Sequence, residues 1–117
     1  MHEIVFAIPV VPGKEDLDRR ILDELAGTRR DEYDAALRDA GIARQSVWHQ
    51  QSPDGILALV HIVADNPDGA QRFSSSNAPL NAWFRSQMKE VHGVDISQPL
   101  PPIRKVHDTA TIAEVNA

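Results

Sequence analysis

Ser52-Pro53-Asp54-Gly55-Ile56-Leu57-Ala58-Leu59-Val60-His61-Ile62-Val63-Ala64 is the stretch that decides how this chain folds. Pro53-Asp54-Gly55 is a tight-turn signal, and the run behind it is apolar and rich in branched side chains, interrupted only by His61. An apolar run of strand length needs cover on both faces. Ile56, Ala58, Val60 and Ile62 point to one side, and Leu57, Leu59, His61 and Val63 to the other. The segment before the turn, Arg44-Gln45-Ser46-Val47-Trp48-His49-Gln50-Gln51, is more polar, as suits a strand nearer a sheet edge. The two segments make a hairpin.

Upstream, Ile4-Val5-Phe6-Ala7-Ile8-Pro9-Val10-Val11 reads as another strand covered on both sides, ended by Pro9, which has no N–H for the ladder, and by Pro12-Gly13. From Glu15 to Ala40 the apolar residues Leu17, Ile21, Leu25, Tyr33, Ala36, Leu37 and Ala40 recur at helical spacing. Ala26-Gly27-Thr28 interrupts them, and Thr28 with Asp31 has the form of a capping box. The expectation is one continuous bent helix, with two successive helices as the alternative. Gly41 stands where a glycine cap belongs.

Downstream, Asp65-Asn66-Pro67-Asp68 predicts a helix start, with Asn66 as cap and Pro67 first in the helix, running through Phe73. Ser74-Ser75-Ser76-Asn77 breaks it. Ala78-Pro79 opens a further helix carrying Leu80, Trp83, Phe84, Met88 and Val91, closed by His92-Gly93. Pro99-Leu100-Pro101-Pro102 excludes regular structure, and Ile103 to Val106 reads as a short last strand. Residues 1–108 are thus expected to form a single domain, with 109–117 a tail that holds Ile112 and Val115.

The chain has 117 residues, 42% hydrophobic and 25% charged, the balance of an ordinary globular domain. It has no cysteine, which excludes disulfides and thiolate metal sites. Twelve Lys and Arg against seventeen Asp and Glu leave a net charge of −5, with the signs interleaved. Such a surface disfavours a nucleic-acid backbone, and 5% aromatics argues against base stacking on the sheet. No apolar stretch is long enough to span a bilayer, and Met1-His2-Glu3 does not begin like a secretory signal, so the expected location is the cytoplasm.

Strand, helix, strand, strand, helix pair and short strand make an α+β chain of βαββαβ order. It predicts an antiparallel sheet with helices on one face and with the first and third strands central. Helices cover only one side, so the apolar residues on the other face call for a partner, most simply a second copy of the chain.

With this layout, Pro12-Gly13-Lys14, Asp39-Ala40-Gly41-Ile42, Ser46-Val47-Trp48 and the strand from Ile56 to Ala64 resemble the dimeric α/β-barrel superfamily over roughly residues 2 to 108. The resemblance implies ferredoxin-like protomers paired through their sheets. It covers cofactor-free monooxygenases, sugar mutarotases, lactone isomerases, haem-handling enzymes and small proteins of unassigned function, and the last group looks most similar. The histidine and tryptophan-proline phrase of the mutarotases is absent from Leu17 to Tyr33.

Among five histidines, His61 is the candidate catalytic residue, a partly desolvated acid or base if its face looks into a cavity. The plain alternative is a packed histidine bonded to a main-chain carbonyl. Trp48 and His49, on opposite faces of the neighbouring strand, are candidate substrate-binding residues; so are Arg72 and Arg85, which flank the serine-rich break and suit an anionic group. His49 with His61 lacks a third metal ligand, so no metal is expected, and no cofactor either. Two functions follow: a cofactor-independent enzyme of monooxygenase or isomerase type acting on a small organic molecule, or a non-catalytic binding or structural homodimer.

Overall fold

A computed structural model describes residues 1–101 and 103–109. The elements are β1 (His2–Pro9), α1 (Glu15–Ala26), α2 (Arg30–Asp39), β2 (Ile42–Ser52), β3 (Gly55–Ala64), α3 (Gly69–Ser75) and α4 (Pro79–His92). The strands form a three-stranded antiparallel sheet in the order β1-β3-β2. The most apolar strand, β3, is therefore central, while the more polar β2 lies at an edge. The hairpin closes with Ser52 opposite Gly55, and the Ser52 hydroxyl donates to the Gly55 carbonyl at 2.9 Å.

Alternation along β3 decides where the core lies. Ala58, Val60, Ile62 and Ala64 are buried with Ile21, Leu25, Phe84 and Val91 from the helices, whereas Leu57, Leu59, His61 and Val63 on the other face stay half-buried. The chain leaves β1 through a turn in which the Lys14 N–H donates to Val11 at 3.0 Å. Pro12 and Gly13, at φ +83°, take the inner positions, the residue types that a type II turn requires. Val11 N–H then donates to the Val91 carbonyl at 2.7 Å, and His92 Nδ1 donates to Pro9 at 2.9 Å, tying the end of α4 to the end of β1.

Several local expectations are corrected. The stretch from Glu15 to Ala40 is two helices, not one bent helix. Gly27 ends the first, and Arg29, rather than Thr28, stands at the start of the second without a side-chain cap. Arg29 holds this corner, bonding Glu24 at 3.1 Å and lying 4.0 Å over the Trp83 ring of α4. Next, α3 begins at Gly69, not Pro67, because the Asn66 amide donates to Asp65 at 2.7 Å and to the Ala40 carbonyl at 3.5 Å instead of capping a helix. That helix also runs on through Ser74 and Ser75, so the break begins at Ser76.

Finally, Ile103 to Val106 carries no strand, and among the described residues β1 is an edge rather than a central strand. The prolines before this segment and the charged Arg104-Lys105 pair inside it leave little apolar surface to dock, and Ile103 and Val106 are exposed. Apart from Thr109, the tail assigned to 109–117, with Ile112 and Val115, lies outside the described residues. The far end behaves as its local chemistry requires: Pro79 opens α4, and Gly93, at φ 72°, ends it in the left-handed conformation.

Candidate functional site

The sheet presents two different surfaces. On the open face, Val5 and Ser46 flank His61 in register, and its Nε2 lies 2.9 Å from Glu3 Oε1. Trp48 shares that face, opposite Leu59, and is 55% exposed, as is Val5 at 54%. On the helix face lies a cavity of about 1000 Å³, lined by Phe6, Val47, Val60, Ile62, Phe84 and Met88 among others. The cavity reaches along β1, and the stretch from Ile96 to Leu100 lines it on another side.

That covering stretch is anchored by its own polar bonds. Gln71 of α3 donates to the Ser97 carbonyl at 2.9 Å, while the Ser97 hydroxyl and N–H both donate to Asp95, at 2.6 and 2.9 Å. The Ser97 hydroxyl, followed by its N–H, holds the Asp95 carboxyl below its ordinary value.

A buried acid marks one part of the cavity wall. Asp18, in the first turn of α1, is only 2% exposed, and its Oδ2 lies 2.6 Å from Nε2 of His49. His49 is opposite Ala58 and so belongs to the helix face, where its ring backs the carboxylate; Asp18 itself lines the cavity. Four residues along the same face of β2, Gln45 also lines the cavity and accepts the Tyr33 hydroxyl at 3.1 Å.

Burial, with the Asp34 charge added, pushes the Tyr33 phenol up to about 12. The chain has one tyrosine, so phenolate absorbance reports it alone. An alkaline titration is expected to centre near pH 12 in the folded chain and near about 10 once it unfolds. Because the folded value is the higher, the stabilisation is complete below about pH 10 and is lost as pH rises toward about 12. The loss is at most about 2 kcal/mol after allowing for partial exposure. A folded-state midpoint near pH 10 would contradict this.

The sequence-derived candidates separate in space. His61 and Trp48 share the open face, His49 lies on the other, and none of them lines the cavity. Arg72 donates to the Asp39 carbonyl at 3.1 Å, closing the end of α2, and Arg85 donates to the carbonyls of Ser74, at 2.9 Å, and Ser76, closing the end of α3. Both guanidinium groups hold main chain together, and neither lines the large cavity. Sequence reasoning missed Asp18, although the signal was present: it falls three residues before Ile21 and seven before Leu25, an acid on the apolar stripe of α1. Among the described residues no three His, Asp or Glu side chains are grouped to hold a metal ion, and no helix is long and apolar enough to cross a membrane. Compared with known proteins, the chain matches no family model, no curated protein and no solved structure.

Proposed function

We propose that this chain binds a small, largely apolar organic molecule in the cavity between its sheet and its helices. The observation that carries this is the empty volume itself. Protein interiors pack to the density of organic crystals. Here a core that has closed tightly around Val91 and Leu25 gives way to a cleft of about 1000 Å³, partly open to solvent, beside Val60, Ile62, Phe84 and Met88. Apolar walls with a few polar groups are the usual make-up of a small-molecule site. If the site is also catalytic, without a cofactor, the buried acid in its wall is Asp18, with His49 bonded behind it, whereas His61 does not line the cavity.

The test is a fluorescence titration with methylnaphthalene, a neutral apolar probe. Saturable binding is expected, with a Kd on the order of 10–100 µM. Val60→Trp, which intrudes into the cavity at its apolar wall, is expected to weaken it at least tenfold, roughly the loss of one good apolar contact surface. Leu59→Ser, one residue along on the opposite face, should leave it unchanged. Absence of saturation, or equal effects from the two variants, would overturn the proposal.

The open face favours a second reading that is compatible with the first. The exposed Val5 and Trp48 and the half-buried Leu57, Leu59 and Val63 make an apolar surface that the described residues leave open, and a second copy packed against it would hide both faces at once. This is the pairing implied by the resemblance to the dimeric α/β-barrel superfamily. Sedimentation is expected to give twice the chain mass at micromolar concentration, and Leu59→Glu to return the single-chain mass. A monomer in the unaltered protein would remove this reading and leave the cavity untouched.

A further inference from the structure

We infer that the ligand of this cavity carries a hydrogen-bond donor, an amine or a hydroxyl, that seats on Oδ1 of Asp18. The inference rests on the cavity-binding proposal and adds to it the chemistry of the ligand's polar end. An acid among apolar core residues is costly unless its oxygens are bonded, and Asp18 is buried beside Ile21 and Leu25. One oxygen has its partner, since Oδ2 is held at 2.6 Å by His49. The other takes no hydrogen bond from the described residues. Nor is it sealed in, because the one fully buried side-chain oxygen or nitrogen lacking a partner among them belongs to Asn66. Oδ1 therefore keeps its access, and the space it borders is the cavity that Asp18 lines.

His49 gives this arrangement its selectivity. A long, mobile acid would adapt to many ligands, but a carboxylate fixed from behind by an imidazole on a strand offers its second oxygen in one place. A carboxylate oxygen accepts and does not donate. A ligand group that can only accept, such as an ether oxygen, or an anionic group meets repulsion there, while a hydroxyl or amine completes the bonding of a buried charged group. The apolar walls at Val60, Phe84 and Met88 then take the body of the molecule.

The experiment compares four probes with one ring system: methylnaphthalene, hydroxymethylnaphthalene, aminomethylnaphthalene and methoxymethylnaphthalene, the last keeping the oxygen and losing its donor. The alcohol and the amine are expected to bind at least about tenfold more tightly than the ether and the hydrocarbon. Removing Asp18 alone would strand His49, so the first variant pairs Asp18→Leu with His49→Leu, a like-sized apolar exchange of a buried pair that a fold tolerates. In it all four affinities should converge on that of the hydrocarbon. Asp18→Asn, which keeps the shape, is the second variant and should reduce the preference to a fewfold. Equal binding of all four probes by the unaltered protein would overturn the inference and leave the cavity proposal standing. So would a donor preference that survives both variants. Binding of none would overturn both.

Discussion

Gly41→Ala is expected to cost on the order of 3 kcal/mol, lowering Tm by more than about 10 °C in a chain of this size. Gly41 follows α2 at φ +74°, a conformation that L side chains rarely adopt. A Cβ there would run into Asp65 Oδ1 and lie 2.6 Å from Asn66 Nδ2. Both are side-chain ends, and Asp65 is exposed, so they can turn aside, but only by giving up the Asn66 amide's bonds to Asp65, at 2.7 Å, and to the Ala40 carbonyl, at 3.5 Å, which brace the joint between the end of α2 and the end of β3. Gly13→Ala is the control. Its φ is +83° but nothing lies within 4 Å of the added carbon, so only the backbone cost remains, about 1–2 kcal/mol. Equal losses in chemical denaturation would contradict the close approach at Gly41.

Phe84→Ala carries the other large effect, a loss of about 3–5 kcal/mol. The ring is 6% exposed, meets Phe73 edge-on at 5.5 Å, and through Phe73 joins Tyr33 at 6.3 Å, so one aromatic row ties α2, α3 and α4 together. The same ring lines the cavity. Its removal is therefore expected to weaken the fold and widen the site in one step. In thermal unfolding the variant should recover about 1.4 kcal/mol when an apolar probe stands at ten times its Kd. A loss below about 1 kcal/mol would mean that Phe84 is not part of the load-carrying packing.

Much of the fold was readable where local chemistry decides it. The Ser52 to Gly55 hairpin, the alternation of β3 and the Pro79 and Gly93 boundaries of α4 each depend on a few adjacent residues, and each stands where the sequence puts it. The departures share another cause: a side chain answers to a partner far along the chain. Arg29 is drawn over Trp83, and Asn66 turns to Ala40, and in each case the tertiary bond replaces the helix signal that the local residues carry. At Ile103 to Val106 two β-branched residues behind a proline run suggested a strand, but four residues with two charges bury too little to hold one.

For the candidate site, the sequence marked His49 and His61 and put Trp48 on the face opposite His49, all from the period of two along a strand. It did not say which face would hold the cavity. The acid that pairs with His49 lies 31 residues away, and only the register of β2 on β3, with α1 packed across it, brings the two together. Arg72 and Arg85 looked like anion binders because an exposed guanidinium and one closing a helix end are identical in sequence.

The most direct measurement is a heteronuclear NMR titration of the labelled protein with methylnaphthalene. Binding between sheet and helices predicts saturable shifts at Val60, Ile62, Phe84 and Met88, with intermolecular contacts from the probe to the same residues, while Leu59, His61 and Trp48 across the sheet stay unmoved. Contacts confined to Leu59, His61 and Trp48, or no saturable shifts at all, would contradict the account.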